Sequence, residues 1–180
     1  MNRVVSLFRI SLMVLIGFAW SISGCGQKED TRPKPKPFTR EQLLNANQAD
    51  SRRESDVIDS YINHHHLTMS ATGTGLRFQF LRKSEKGDSA RVGLYATVDY
   101  KVSLLDGTVC YSSAKDGRKE FRIGEDHVES GIHEMVMFMK TGDKVTFILP
   151  SNRAQGLLGD GDKIPPRAPV LYEMELISLR

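Results

Sequence analysis

Every second residue from Val92 to Leu104 is apolar: Val92, Leu94, Ala96, Val98, Tyr100, Val102 and Leu104. A period of two places these side chains on one face of a single extended strand. A strand cannot satisfy its own backbone N–H and C=O groups, so this run requires partner strands. The surrounding sequence supplies them. Asp106-Gly107 closes a hairpin, and Val109–Tyr111 returns along the run. Upstream, Leu76, Phe78 and Phe80 alternate with Arg77 and Gln79, followed by a Ser84–Ser89 loop. Downstream, Glu120–Ile123 reads as a short strand, and Thr141-Gly142-Asp143 turns the chain into a strand Lys144–Leu149. A long loop, Pro150–Pro166, leads to a last strand, Ala168–Leu179, with Val170, Tyr172, Met174 and Leu176 on one face. Within this series Asp126 opens a helix, with Glu129 at the capping-box position and an apolar stripe of Val128, Ile132, Met135, Val136 and Met139. The expected class is α+β: an antiparallel sheet with one embedded short helix.

Ahead of the sheet, Thr39 caps a helix, Gln42 completes a capping box, and Phe38 is placed to staple against Leu43. The helix is expected from Thr39 to Asn63, lying on another surface by its two apolar ends, Leu43-Leu44 and Val57-Ile58-Tyr61-Ile62. His64-His65-His66 follows. Three consecutive histidines on a helix point about 100° apart, so the run reads as a solvated helix end and not as a metal site.

The first residues carry Arg3 and Arg9, no acid, and then the apolar run Ile10–Trp20. That run is too short for a span of ~20 residues and suits a signal-peptide core. Ile22-Ser23-Gly24-Cys25 resembles the lipobox of bacterial lipoproteins, which implies removal of residues 1–24 and acylation of Cys25. Gly26-Gln27-Lys28-Glu29-Asp30 looks like the surface-export signal of Bacteroidetes lipoproteins. Thr31-Arg32-Pro33-Lys34-Pro35-Lys36-Pro37 reads as an extended, semi-rigid spacer. The expected organisation is a signal peptide at 1–24, a tether at 25–37, a helix at 38–67 and a sheet domain at 68–180. The expected location is the cell envelope, at the outer membrane, with the membrane met through the lipid.

Composition narrows the function. The chain has 25 basic and 22 acidic residues. Two of the basic ones fall in the leader, so the remainder is close to neutral and offers no broad basic field for nucleic acid. Of two cysteines, one is assigned to lipid, leaving Cys110 without a partner. It reads as an inert buried thiol. There is no GxGxxG, P-loop, HExxH or GxSxG, and no cofactor or metal is expected.

Several motifs converge on one family. Val98-Asp99-Tyr100, Leu105-Asp106-Gly107, Ser112-Ser113 and Phe121-Arg122-Ile123-Gly124 resemble the front half of the FK506-binding-protein (FKBP) type of peptidyl-prolyl cis-trans isomerase. Met139–Lys144 resembles its M-x-x-G-x-K turn. Ile164-Pro165-Pro166 and the strand through Glu173-Met174-Glu175-Leu176 resemble its final loop and strand. With the lipid signal, the chain is similar to the gliding-motility-associated lipoproteins of Bacteroidetes. The resemblance implies a curved antiparallel sheet around one helix, proline-containing polypeptide clients, and an apolar basin that holds the proline ring. It places Tyr100, Tyr111, Val128, Ile132, Ile164 and Tyr172 at the basin.

The same comparison shows departures from the family pattern. Cys110-Tyr111 stands for a Phe-Asp pair, Lys119 for an aromatic, Glu129 for Ile, Ile132 for Trp and Gln155 for Tyr. Tyr111 replaces the acid, so no anion is expected there, and Lys119 and Glu129 are expected to charge the rim and admit water. Two functions remain: an envelope-anchored isomerase of folding proteins, or a catalytically weak FKBP-fold chaperone or structural module of an envelope machine.

Overall fold

The computed structural model describes residues 38–180. The leader, Cys25 and the tether lie outside the described residues.

Helix α1, Arg40–His64, begins where its local chemistry dictates. The Thr39 hydroxyl accepts from the Gln42 amide at 3.3 Å, and the Gln42 side chain accepts from the Thr39 amide at 3.0 Å. The capping box therefore satisfies two amides that the first turn leaves without partners. Of the two apolar ends expected to dock α1, only the second does so, through Ile58 with Tyr61 and Ile62 half-buried beside it. Phe38, Leu43, Leu44 and Val57 are each more than half exposed, and Ile58 is the buried apolar side chain of the helix. Polar contacts complete the attachment. Glu54 accepts from the Ser151 amide at 2.7 Å and from its hydroxyl at 3.1 Å. Arg77 donates to Asp59 at 3.1 Å and to the Ser55 hydroxyl at 2.9 Å.

The sheet consists of β1 (Ser70–Ala71), β2 (Arg77–Arg82), β3 (Tyr95–Leu104), β4 (Val109–Ser112), β5 (Lys119–Arg122), β6 (Lys144–Leu149) and β7 (Val170–Leu179). All pairings are antiparallel, in the order β1-β2-β6-β7-β3-β4. Strand β5 also pairs with β3. The long alternating run is thus the central element. One flank of β3 pairs with β7 from Ala96–Leu179 to Leu104–Val170. Its other flank is shared, with β5 along Tyr95–Val98 and β4 along Lys101–Ser103. Between those partners lies a helical turn, α2 (Ser113–Asp116). There the Tyr100 amide, lacking a strand partner, donates to the Ser113 hydroxyl at 3.2 Å.

Among the boundaries that differ from expectation, three have an evident cause. Strand β3 starts at Tyr95 and not at Val92, because Gly93 turns the chain at φ 90° and Val92 is 64% exposed. Strand β7 starts at Val170, directly after Pro169, which has no N–H to give a ladder. The embedded helix, α3, spans Ser130–Val136 and not a segment opened by Asp126. The Asp126 carboxylate instead accepts from the Arg122 amide at 2.7 Å, and His133 Nδ1 accepts from the Gly124 amide at 2.9 Å. Residues 124–128 are held as a turn by these bonds, so the helical hydrogen bonds begin at Glu129.

Helix α3 packs on the sheet through Ile132, Met135 and Val136, all buried. Gly131 permits the close approach. A Cβ there would collide with Leu149 of β6 and lie 3.1 Å from the Arg153 carbonyl oxygen. The core is continuous between this helix and the inward faces of β3, β6 and β7, from Val98 and Val102 to Phe147, Tyr172, Met174 and Leu176.

Candidate active site

A cavity of about 240 Å³ opens between α3 and the sheet. Strand β3 contributes Val98, Tyr100 and Val102 to its lining, β7 contributes Tyr172 and Met174, and β5 contributes Phe121 and Lys119. Alternation explains the first two groups, since i, i+2 and i+4 share a face. Tyr111 of β4, Ile132 of α3, Glu129 ahead of it, and Gln155 and Asp160 of the β6–β7 loop complete the lining.

Of the six residues anticipated from the sequence, four meet at this cavity: Tyr100, Tyr111, Ile132 and Tyr172. The other two are not part of its lining. Val128 is partly buried against the core, and Ile164 is buried within it.

Tyr172 is the most enclosed of the rings. It is 4% exposed and stacks on Phe147, with centroids 5.0 Å apart and planes within 9°. Its hydroxyl donates to Glu129 Oε1 at 3.2 Å. Gln155 Nε2 donates to the same oxygen at 2.6 Å. Both donors converge on Oε1, and Glu129 Oε2 is shielded from water without a hydrogen-bond partner. Burial pushes the Tyr172 phenol well above its ordinary range, and the neighbouring Glu129 adds to the shift. Burial also raises Tyr100, followed by the charges of Asp116 and Glu129. Both phenols stay neutral donors at ordinary pH.

Two expectations are corrected by this geometry. Glu129 is not simply a charge at the rim that admits water, because it is bonded inward to Tyr172 and Gln155. An anion does stand beside Tyr111. The Tyr111 hydroxyl donates to Asp160 Oδ2 at 2.5 Å. Asp160 Oδ1 accepts from the amides of Asp162, Lys163 and Ile164 at 2.9, 2.9 and 2.8 Å. Burial would raise the Asp160 carboxyl, but these bonds outweigh it and bring it down to about 2. The hydrogen bond to Asp160 raises Tyr111, and burial adds to it. The signal for Asp160 in the sequence was the Gly159-Asp160-Gly161-Asp162 run, which reads only as a loop without the fold.

Cys110 is buried, its sulfur 3.7 Å from the Lys163 carbonyl oxygen, and burial raises its thiol. Such a thiol holds its proton and is a poor nucleophile. At the far end of α1, the His65 ring lies 4.2 Å from that of Tyr61, away from the cavity lining. No group of three or more His, Cys, Asp or Glu among the described residues is arranged to hold a metal.

The arrangement is an aromatic and aliphatic basin, open on one side, with fixed polar groups at its wall and no nucleophile–base pair. It suits a reaction in which no covalent bond changes. The family model for FKBP-type peptidyl-prolyl cis-trans isomerase matches residues 84–177, which contain the whole of this lining. The chain belongs to the FKBP-type peptidyl-prolyl cis-trans isomerase family. FK506-binding protein 1 of Dictyostelium discoideum is 35% identical over 54% of this chain and 92% of that protein. The FKBP-type 22 kDa peptidyl-prolyl cis-trans isomerase of Escherichia coli is 32% identical over 62% of this chain. The chain spans about half the length of several curated relatives, 53% for the Escherichia coli protein. The fold is similar to the crystal structure of AtFKBP13, with a TM-score of 0.59 at 30% identity, over 63% of this chain and 99% of that one. The FKBP fold is thus present as the resemblance implied: an antiparallel sheet packed on one short helix, preceded by a further helix.

Proposed function

We propose that the protein is a peptidyl-prolyl cis-trans isomerase acting on proline-containing polypeptides, with the basin around Tyr172 as its site. The observation that carries this reading is the stacked, 4%-exposed Tyr172 ring beneath an open cavity, in a chain of the isomerase family. Uncatalysed rotation about an X-Pro bond takes ~10–100 s over a barrier of about 20 kcal/mol. The twisted amide loses resonance and is less strongly solvated than the planar one. A dry basin that replaces water around the proline ring therefore favours the twisted form. Tyr100, Ile132 and Tyr172 supply the apolar contact, while Gln155 Nε2 keeps a second N–H, beyond the one given to Glu129, for a client carbonyl.

The proposal extends to location. Ile22-Ser23-Gly24-Cys25 after an apolar run supports a lipid on Cys25, hence attachment to the cell envelope at the outer membrane, as in the gliding-motility-associated branch.

The Glu129–Tyr172–Gln155 bonds favour a second reading, a client-holding module with weak catalysis, because they occupy donors and acceptors inside the basin. An isomerase assay on proline peptides, with a soluble form starting at Phe38, separates the two. Accelerated exchange lost on basin substitution supports the enzyme. Peptide binding without acceleration supports the module.

A further inference from the structure

The basin holds an acceptor that nothing among the described residues satisfies. Glu129 Oε1 takes both available donors, the Tyr172 hydroxyl at 3.2 Å and Gln155 Nε2 at 2.6 Å. Glu129 Oε2 takes none and is closed off from water. A sheltered carboxylate oxygen without a donor is costly, and any partner that supplies one recovers that cost. The residue lines the same cavity as Tyr100, Tyr111 and Tyr172. An occupant of the basin can supply that donor once the carboxylate turns Oε2 toward the cavity.

We infer that Glu129 is a specificity-determining residue, favouring clients that carry a cationic side chain next to the proline. This rests on the basin being the client site. The charges of the lining argue for a cation over a neutral donor. Two carboxylates, Glu129 and Asp160, face one ammonium, Lys119. Asp160 is already committed, to the Tyr111 hydroxyl and to three loop amides. Lys119 is exposed, so water and salt weaken its repulsion of an incoming cation. Glu129 alone combines shelter from water with an open lone-pair set. A carboxylate's terminal torsion is broad and nearly two-fold, so a small rotation turns Oε2 toward the cavity while the other oxygen keeps Tyr172. The long apolar stem of a lysine or arginine can cover the basin wall on its way to the carboxylate.

The test is exchange NMR, giving kcat/KM, with two peptide series bearing Lys, norleucine or Glu immediately before or immediately after the proline. Norleucine keeps the apolar stem and removes the ammonium. At low salt the wild type should favour Lys over norleucine at least fivefold in one series, and Glu should be the poorest. The preference should shrink as salt is raised. Glu129→Gln, which can still accept from Tyr172, should bring the Lys-to-norleucine ratio within twofold of one without lowering the melting temperature. Glu129→Ile repeats the test with the acceptor removed. A loss of fold alone would lower turnover on all peptides together and leave the ratio unchanged. Dissociation constants for the same peptides are measured in parallel, so a protein that binds but does not accelerate exchange still reports the ratio. Absence of turnover on every peptide would count against the isomerase. A Lys-to-norleucine ratio near one in both series, or one that survives Glu129→Gln, would overturn the role of Glu129.

Discussion

The Tyr111 hydroxyl, on the β3–β4 hairpin, donates at 2.5 Å to Asp160 Oδ2, in the β6–β7 loop 49 residues further on. The loop is closed on itself by the same carboxylate, whose second oxygen takes the amides of Asp162, Lys163 and Ile164. One side chain therefore sets the shape of the loop and joins it to the basin wall.

Acid should loosen this joint. The Asp160 carboxyl sits at about 2 in the folded protein, below the ~3.9 of an unfolded chain. A depressed carboxyl stabilises the fold fully above the unfolded value, and the contribution is lost as pH falls from about 4 toward 2. Melting temperature measured from pH 5 to 2 should fall more steeply for the wild type than for Asp160→Asn. Tyr111→Phe should shift part of the same transition, because it removes one of the bonds that depress Asp160. Superimposable acid profiles for all three proteins would show that the pair does not hold the loop.

Tyr172 combines a structural and a binding role, and two substitutions separate them. Tyr172→Ala removes the ring stacked on Phe147 and should cost about 3–5 kcal/mol of stability, as for other buried aromatic truncations. Where the protein remains folded, kcat/KM on a proline peptide should drop roughly tenfold to a hundredfold, on the order of 1–3 kcal/mol of transition-state binding. Tyr172→Phe keeps the stack and loses only the bond to Glu129. It should retain most of the stability and more activity than the alanine variant. Denaturant unfolding alongside kinetics reads both effects. Equal activity in wild type and Tyr172→Ala would misplace the site.

Helix α1 should matter through Ile58 and its polar partners and not through its exposed leucines. Ile58 is 1% exposed, so Ile58→Ala should cost ~2–5 kcal/mol. Leu43→Ser with Leu44→Ser should stay within about 0.5 kcal/mol per site. A protein beginning at Thr68 should fold cooperatively but melt at a lower temperature. It lacks Ile58, and the Arg77 side chain, only 14% exposed, loses Asp59. Calorimetry on the three proteins checks the order. A larger loss from the leucine pair than from Ile58→Ala would reverse this assignment.

The proposed lipid anchor is tested at its nucleophile. Cys25→Ser should leave the protein uncleaved or released from membranes, since stable attachment takes more than one acyl chain. Membrane fractionation with mass measurement of the N-terminus reads both. Normal processing and fractionation of the serine variant would refute the anchor.

Much of the architecture was legible in the residues because its causes are local. The capping box at Thr39 needs only Gln42, three residues away, and α1 begins there. The alternation of Val98, Tyr100 and Val102, and of Val170, Tyr172 and Met174, assigns a face to each strand whatever its partner, and those faces line the core. Boundaries were less legible where a competing bond intervenes. The apolar stripe through Val128 promised an earlier helix. The Asp126 carboxylate instead serves the Arg122 amide, and helical bonding starts at Glu129.

The polar side of the basin was decided only by tertiary structure. Glu129 and Tyr172 are 43 residues apart, and Tyr111 and Asp160 are 49 apart. Periodicity records which face a side chain occupies, but not which distant group meets it there. Glu129 read as a charge at the rim, and Asp160 lay without a role in the long loop Pro150–Pro166. Packing α3 and the β6–β7 loop over the sheet brought each carboxylate to a phenol, and closed Glu129 Oε2 off from water. Burial and hydrogen-bond geometry, set by that packing, then fixed what these groups do. The sequence by itself determined the long strands, their faces and the family. The folded chain determined the electrostatics of the basin, because that depends on distances between elements that no local pattern encodes.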